Sequence, residues 1–330
     1  MTRLPLAACL ALIACPAVAG VEEAVEGHIL PGFERFASEA ADLAGAASSD
    51  CTAEGARPAF HEAFDAWMGV SHLGFGPVEE DGRGLAIAFW PDTRGMIPST
   101  LARLVADEDP AAGDSESFAE VSVAGRGLYA LEYLIYDEGF AGYEAGSYTC
   151  ALVTAIATDL ARMADDLANE WQETAGPALL TAGEAGNATY LSRAEAEQAL
   201  YTALQTGLAF TAQQRLGRPL GTFDRPRPRR AEAWRSERSL RNVILSLEAL
   251  GELAEALTDA PIPRTEEAFE AALEEARSLE DPTFAGVEEP ASRLRVEILQ
   301  QRVEAVSDAV AGEIGAELGV TEGFNATDGD

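Results

Sequence analysis

Few side chains in this sequence are equipped for chemistry, and they are scattered. There are three histidines, His28, His61 and His72. An imidazole can move a proton near neutral pH or hold a metal, yet no two of them stand at ligand spacing and no His-Glu-x-x-His occurs. From sequence alone, His28 is expected to be solvated and His61 to face outward. His72, beside the Gly76-Pro77 turn, either approaches a cleft or serves as a capping or core-edge residue. Glu79, Glu80, Asp81 and Asp92 offer oxygen ligands of the kind calcium, magnesium or ferric iron accept, but their spacing is not that of an EF-hand and a solvated loop accounts for them. Arg225, Arg227, Arg229, Arg230, Arg235, Arg238 and Arg241 form the one basic cluster. Guanidinium forks suit carboxylates and phosphates; pairing with the chain's own acids is the favoured reading. Ser236 and Ser239 have no nearby histidine to activate them, and neither a nucleophile elbow nor a glycine-rich phosphate loop is present.

The elements that must position these groups are helices. The chain has 330 residues, 47% of them hydrophobic, and no strand-period alternation. Phe60, Phe64 and Trp67 fall on one stripe, as do Leu240, Val243, Ile244, Leu247 and Leu250, and again Leu299, Val303, Val306, Val310 and Ile314. Pro31 is expected to start or break the first helix. Ser192 with Glu195 makes a capping box, and the prolines at 219, 226 and 228 require an extended connector over 217–230. The expected organisation is all-α: a signal peptide over 1–19, an N-terminal bundle over 20–173, a Gly/Ala/Thr-rich linker over 174–191, a C-terminal bundle over 192–318 and a frayed tail over 319–330. All 23 basic residues are arginine, against 56 acids, for a net charge of −33. Such a field repels nucleic acid and anionic lipid surfaces and attracts cations or basic partners.

Residues 1–19 read as a secretory signal: Arg3, an apolar run from Leu4 to Cys15 too short to span a bilayer, and a small-residue cleavage site at Ala17-Val18-Ala19. Leu12-Ile13-Ala14-Cys15 also fits a lipobox, so a lipid anchor at Cys15 is the alternative to simple cleavage and a soluble periplasmic form. In either case Cys51 and Cys150 remain. In an oxidising compartment they most simply form one disulfide, with two free thiols as the alternative.

Several blocks, in this order and spacing, resemble the imelysin family. They are Asp65-Ala66-Trp67, Leu73-Gly74-Phe75-Gly76-Pro77, Ala88-Phe89-Trp90-Pro91-Asp92, Gly127-Leu128-Tyr129-Ala130-Leu131-Glu132, and Trp234-Arg235-Ser236-Glu237-Arg238-Ser239-Leu240 followed by Asn242. The resemblance spans nearly the whole mature chain. It implies two helical bundles facing each other across a cleft, a periplasmic or surface location, and a connection with iron uptake or its regulation. A bound iron or other divalent or trivalent cation and an iron-uptake or haem-containing partner go with it. The family was named as metallopeptidases, with the His and Glu of a Gly-x-His-x-x-Glu motif as ligands. Here Gly127 and Glu132 match and Tyr129 replaces the histidine. Residues three apart share a helix face, so Tyr129 and Glu132 are expected to converge, with Tyr136 one turn on and Trp67, Trp90, Asp92 and Ser239 nearby. A phenol must lose its proton to ligate, which favours ferric iron over zinc, and peptide hydrolysis loses its expected apparatus. Two readings of the pair stay open: a metal or small-ligand site, or a structural hydrogen bond between the two side chains. Peptidase activity and a purely partner-binding module are the rival functions.

Overall fold

The computed structural model describes residues 20–320; the expected signal peptide, Cys15 and most of the expected tail lie outside them. Among the described residues there is no strand, only an isolated bridge between Thr222 and Arg225. The principal helices are α1 (21–49), α2 (Ala53–Val70), α3 (Met96–Asp107), α4 (Gly127–Tyr136), α5 (148–180), α6 (193–220), α7 (Ser239–Ala256), α8 (Pro263–Ser278) and α9 (290–318).

The first half packs α1 against α2 and α5, with α4 inserted beside them. Along α1 the buried residues Phe33, Phe36, Ala40, Leu43 and Ala47 recur every three or four positions, which is why this segment is helical and why one side of it is core. Each fully buried Phe or Leu there contributes about 1.5–3 kcal/mol. The rod opens with a π-helical stretch, Ala24–Ile29, and the regular α-helical part, Leu30–Ser49, starts with Pro31 in its first turn, where a missing amide donor is tolerated. Cys51 and Cys150 are joined by a disulfide, which ties the start of α2 to the start of α5.

The second half is α6 to α9, with α9 packed on α8 and α6 and with α7 beside α8. α7 also lies against α2, so the two bundles face each other along that pair. The expected linker is half helix. α5 continues through a π-turn, Trp171–Ala175, into Gly176–Leu180, because fully buried Trp171 is stacked on Phe33 and edge-on to Phe75, and Leu179 is buried as well. Irregular chain is confined to 181–192, after which Ser192 caps α6 as its sequence indicated. The segment 118–136, whose apolar spacing also suits a helix, is broken: one helix ends at Ala119, a 3-10 turn covers Val123–Gly125, and α4 begins at Gly127 with the left-handed φ of +69°. No helix among the described residues is long and apolar enough to cross a membrane.

Candidate functional site

α4 is the helix around which the site is built, and Gly127 through Glu132 are all buried. Tyr129 and Glu132 both point from it toward the second half, but not toward each other. The Tyr129 hydroxyl donates to Glu232 Oε1 at 2.7 Å. Glu132 Oε1 accepts from the amide of Ser236 at 3.0 Å and from its hydroxyl at 2.9 Å. The Tyr129–Glu132 hydrogen bond that one of the two readings offered is therefore replaced by three bonds to the second half, one from Tyr129 and two to Glu132. The turn of chain ahead of α7 brings two acceptors and donors of its own, and these reach the two α4 side chains first.

That turn, 231–238, works as a clasp. Its residues Ala233 and Glu237 adopt positive φ angles of 47° and 57°, which lets successive side chains face the first half. Arg235 pairs with Asp137 at 2.6 Å and stacks 3.7 Å over the Tyr133 ring. Arg238, almost fully buried, and Arg241 both grip Asp65. Burial pushes the Asp65 carboxyl up, but hydrogen bonds from Arg241 and Arg238 outweigh this and hold it below the usual range. Arg238 also meets His61 Nδ1 at 2.9 Å, and His61 Nε2 meets the Tyr136 hydroxyl at 2.6 Å, so His61 is half-buried in a network and does not face outward. Ser239 Oγ donates to the Glu232 carbonyl at 2.6 Å and holds the clasp's shape; it does not line either of the two cavities at the boundary of the halves.

Glu232 is the hub. Its Oε2 accepts from Arg215 Nε at 2.8 Å and from the Asn242 amide at 3.1 Å. Arg215 donates further to the hydroxyls of Thr211 and Ser246, both at 3.1 Å. Neither Glu232 nor Arg215 stands out among the motif residues. The available signal was a charge on an apolar stripe: Leu204, Leu208, Thr211 and Arg215 follow helical spacing, so Arg215 must enter the interior and needs an acid there.

Above this network lies a chamber of about 440 Å³ between the two halves. Trp67, Trp90, Tyr129 and His72 come to it from the first half, and Phe210, Arg215 and Glu232 from the second. A second cavity of about 320 Å³ opens on the other side of Trp90 and Tyr129, with Glu132, Asp92, Trp234 and four arginines around it. Trp67, Trp90, Tyr129, Glu132 and Asp92 are thus gathered at one boundary. Asp92, however, spends its carboxylate on the amides of Arg94, Met96 and Ile97, where it caps α3. A larger groove of about 800 Å³ runs between α7 and α8 and is walled by the second half alone.

His28 is buried rather than solvated, and its Nε2 lies 3.0 Å from Nε2 of His72. Burial, then the neighbouring His28 and Arg215, hold the His72 pKa well below 6.5. Burial lowers His61 in the same direction. A folded-state pKa below the unfolded one means that the unfolded chain takes up protons first. Stability is therefore expected to fall as pH drops below about 6.5, by up to about 1.4 kcal/mol per pH unit for each such group. Thermal midpoints of the wild type and His72→Asn between pH 7 and 5 check this: the variant's fall is expected to be shallower, and equal slopes would exclude His72 as a contributor.

The family model for imelysin, peptidase family M75, matches residues 29–310. The chain belongs to the imelysin family. An imelysin-like protein from Psychrobacter arcticum 273-4 shares the fold with a TM-score of 0.74 at 18% identity, over 92% of this chain and 96% of that one. A protein of Parabacteroides distasonis ATCC 8503 carrying the name of an iron-regulated protein A precursor gives 0.71 at 12% identity, over 88% and 92%. Iron-regulated protein A of Synechococcus elongatus is 27% identical over 227 residues, 66% of this chain and 58% of that relative's length. In this imelysin the residues present do not suit the metal that the family motif implies. Burial, reinforced by the negative charge of Glu232, pushes the Tyr129 phenol well above 10, so it keeps its proton. Glu232 is committed to Arg215, and Glu132 to Ser236. Among the described residues, no group of three or more His, Cys, Asp or Glu is placed to hold a metal ion.

Proposed function

We propose that this imelysin-family protein is a non-proteolytic binding or accessory protein in iron uptake or iron regulation, exported to the periplasm, whose ligand occupies the chamber between the two halves. The observation that carries the reading is the chamber's position. Its floor is the Tyr129–Glu232–Arg215 network, which ties the halves together, and its walls are the aromatic faces of Trp67, Trp90 and Phe210. Few polar groups in an aromatic enclosure suit an organic ligand or an inserted side chain better than a bare ion. The link to iron rests on the names of the relatives. The absence of metal-dependent proteolysis rests on the motif's donor set: a protonated phenol and two spoken-for carboxylates offer no ligands for the metal that would activate a water.

The test is growth of a strain lacking this protein, with and without a ferric chelator. The account expects a defect only under iron limitation, restored by the wild-type chain but not by Trp90→Ala or by the chamber-filling Ala88→Trp, both expressed at wild-type level. Iron-independent growth, or full restoration by both variants, would contradict it. The purified protein is expected to leave an unfolded protein intact in the presence of zinc or iron, and metal-dependent cleavage abolished in Glu132→Ala would establish the peptidase reading instead.

A further inference from the structure

The second cavity gathers positive charge in a protein whose net charge is −33. Arg218 enters from the end of α6, Arg229 and Arg230 from the 3-10 turn Pro228–Arg230, and Arg235 from the clasp. Of the seven clustered arginines named above, Arg235, Arg238 and Arg241 do pair internally, with Asp137 and Asp65. At the cavity itself the pattern is different. Among the described residues, no carboxylate lies within ion-pair distance of Arg218, Arg229 or Arg230. Arg218 has the Gln214 amide oxygen at 3.3 Å and lies 5.7 Å over the Trp90 ring, and its Nε is buried without a hydrogen-bond partner. Arg229 lies 5.6 Å over the Trp234 ring. The two acids of the cavity wall are already engaged, Asp92 by three backbone amides and Glu132 by Ser236.

Guanidiniums left without a carboxylate in a chain of 56 acids, and lining one cavity, are arranged for a charge that comes from outside. Desolvation, and then repulsion from Arg230, destabilise the charged form of Arg218, and an anion between the two would offset both. Trp90 and Trp234, one from each half, both line the cavity.

We propose that this cavity is a binding site for a small polyanion bearing two or more carboxylate or phosphate groups, held by Arg218, Arg229 and Arg230 between Trp90 and Trp234. Bidentate forks read planar carboxylates and phosphate oxygens alike. A ligand seated here bridges the clasp to the segment carrying Trp90, so it sits where it can report on, or set, the closure of the two halves. The site stands on its own charges, whether or not the neighbouring chamber is filled.

Calorimetric titration of the full-length protein with citrate and with pyrophosphate, each against acetate at matched ionic strength, tests it, with tryptophan emission as a second readout because two of the four tryptophans form the walls. Saturable binding of citrate, pyrophosphate or both, at least ten-fold tighter than acetate, is expected, and the tighter of the two assigns carboxylate or phosphate chemistry. Arg218→Gln and Arg230→Gln are each expected to weaken it ten-fold or more while leaving the ligand-free thermal midpoint unchanged or raised. Trp67→Phe, in the chamber alone, is expected to bind the anion normally. Absence of saturable binding, or wild-type affinity in both arginine variants, would overturn the proposal. A lowered ligand-free midpoint in both variants would also do so, since it would make the arginines structural.

Discussion

Glu232→Ala is expected to cost about 3–5 kcal/mol of folding stability, the range for breaking a buried ion pair from one side. Three partners lose their acceptor at once. Arg215, 5% exposed, keeps two hydroxyls but no counter-charge; the Tyr129 hydroxyl loses its acceptor; and the Asn242 amide is orphaned. Urea unfolding, comparing midpoints at constant slope, measures the loss. Replacing Arg215 by methionine in the same chain is expected to recover much of it, because two mutations in one network are not additive. A single-variant loss below about 1 kcal/mol would mean that water reaches Arg215 and that the floor of the chamber is not sealed.

The second large effect belongs to Gly127. A Cβ built at this position would lie 2.2 Å from the carbonyl oxygens of both Ala86 and Ile87, and its φ of +69° disfavours any side chain. Backbone is a neighbour that cannot rotate aside. Positive φ and overpacking each cost about 1–3 kcal/mol, so Gly127→Ala is expected to lose about 3 kcal/mol or more, read as a fallen thermal midpoint or as insoluble protein. The position also bears on function. The chain at Ala86–Ile87 leads directly to Trp90, so the glycine of the Gly-x-Tyr-x-x-Glu motif is what allows the segment bearing Trp90 to lie on the start of α4. A variant as stable as the wild type would contradict that packing.

Much of the scaffold was legible from periodicity. The stripe Phe60, Phe64 and Trp67 and, apart from half-buried Ile244, the stripe from Leu240 to Leu250 are core, since a helix with one apolar side has only one way to bury it. The cysteine pair was legible too, because two thiols in a chain that reads as exported have one simple fate. Helix ends and partners were less so. The stretch after Trp171 looked like a linker because Gly, Ala and Thr are weak local signals, and only the burial of Trp171 and Leu179 shows why it stays helical. The motif pointed to Tyr129 and Glu132, and both sit at the boundary between the halves, but spacing on one helix says nothing about which residues on another element arrive opposite. Glu232 and Ser236 come from a turn with two positive-φ residues, a geometry with no periodic signature. His28 and His72 are separated by 44 positions and meet only through the packing of α1 beside the end of α2.

The most direct test of the account is a crystal structure of the protein purified, without refolding or chelators, from its native host grown under iron limitation. The account predicts continuous non-protein density in the chamber, in contact with Trp67, Trp90 and Tyr129, with the Tyr129–Glu232–Arg215 network closed beneath it. A chamber holding only ordered water, with a copurified ligand bound elsewhere on the molecule or a metal ion bonded to Tyr129 and Glu132, would contradict it.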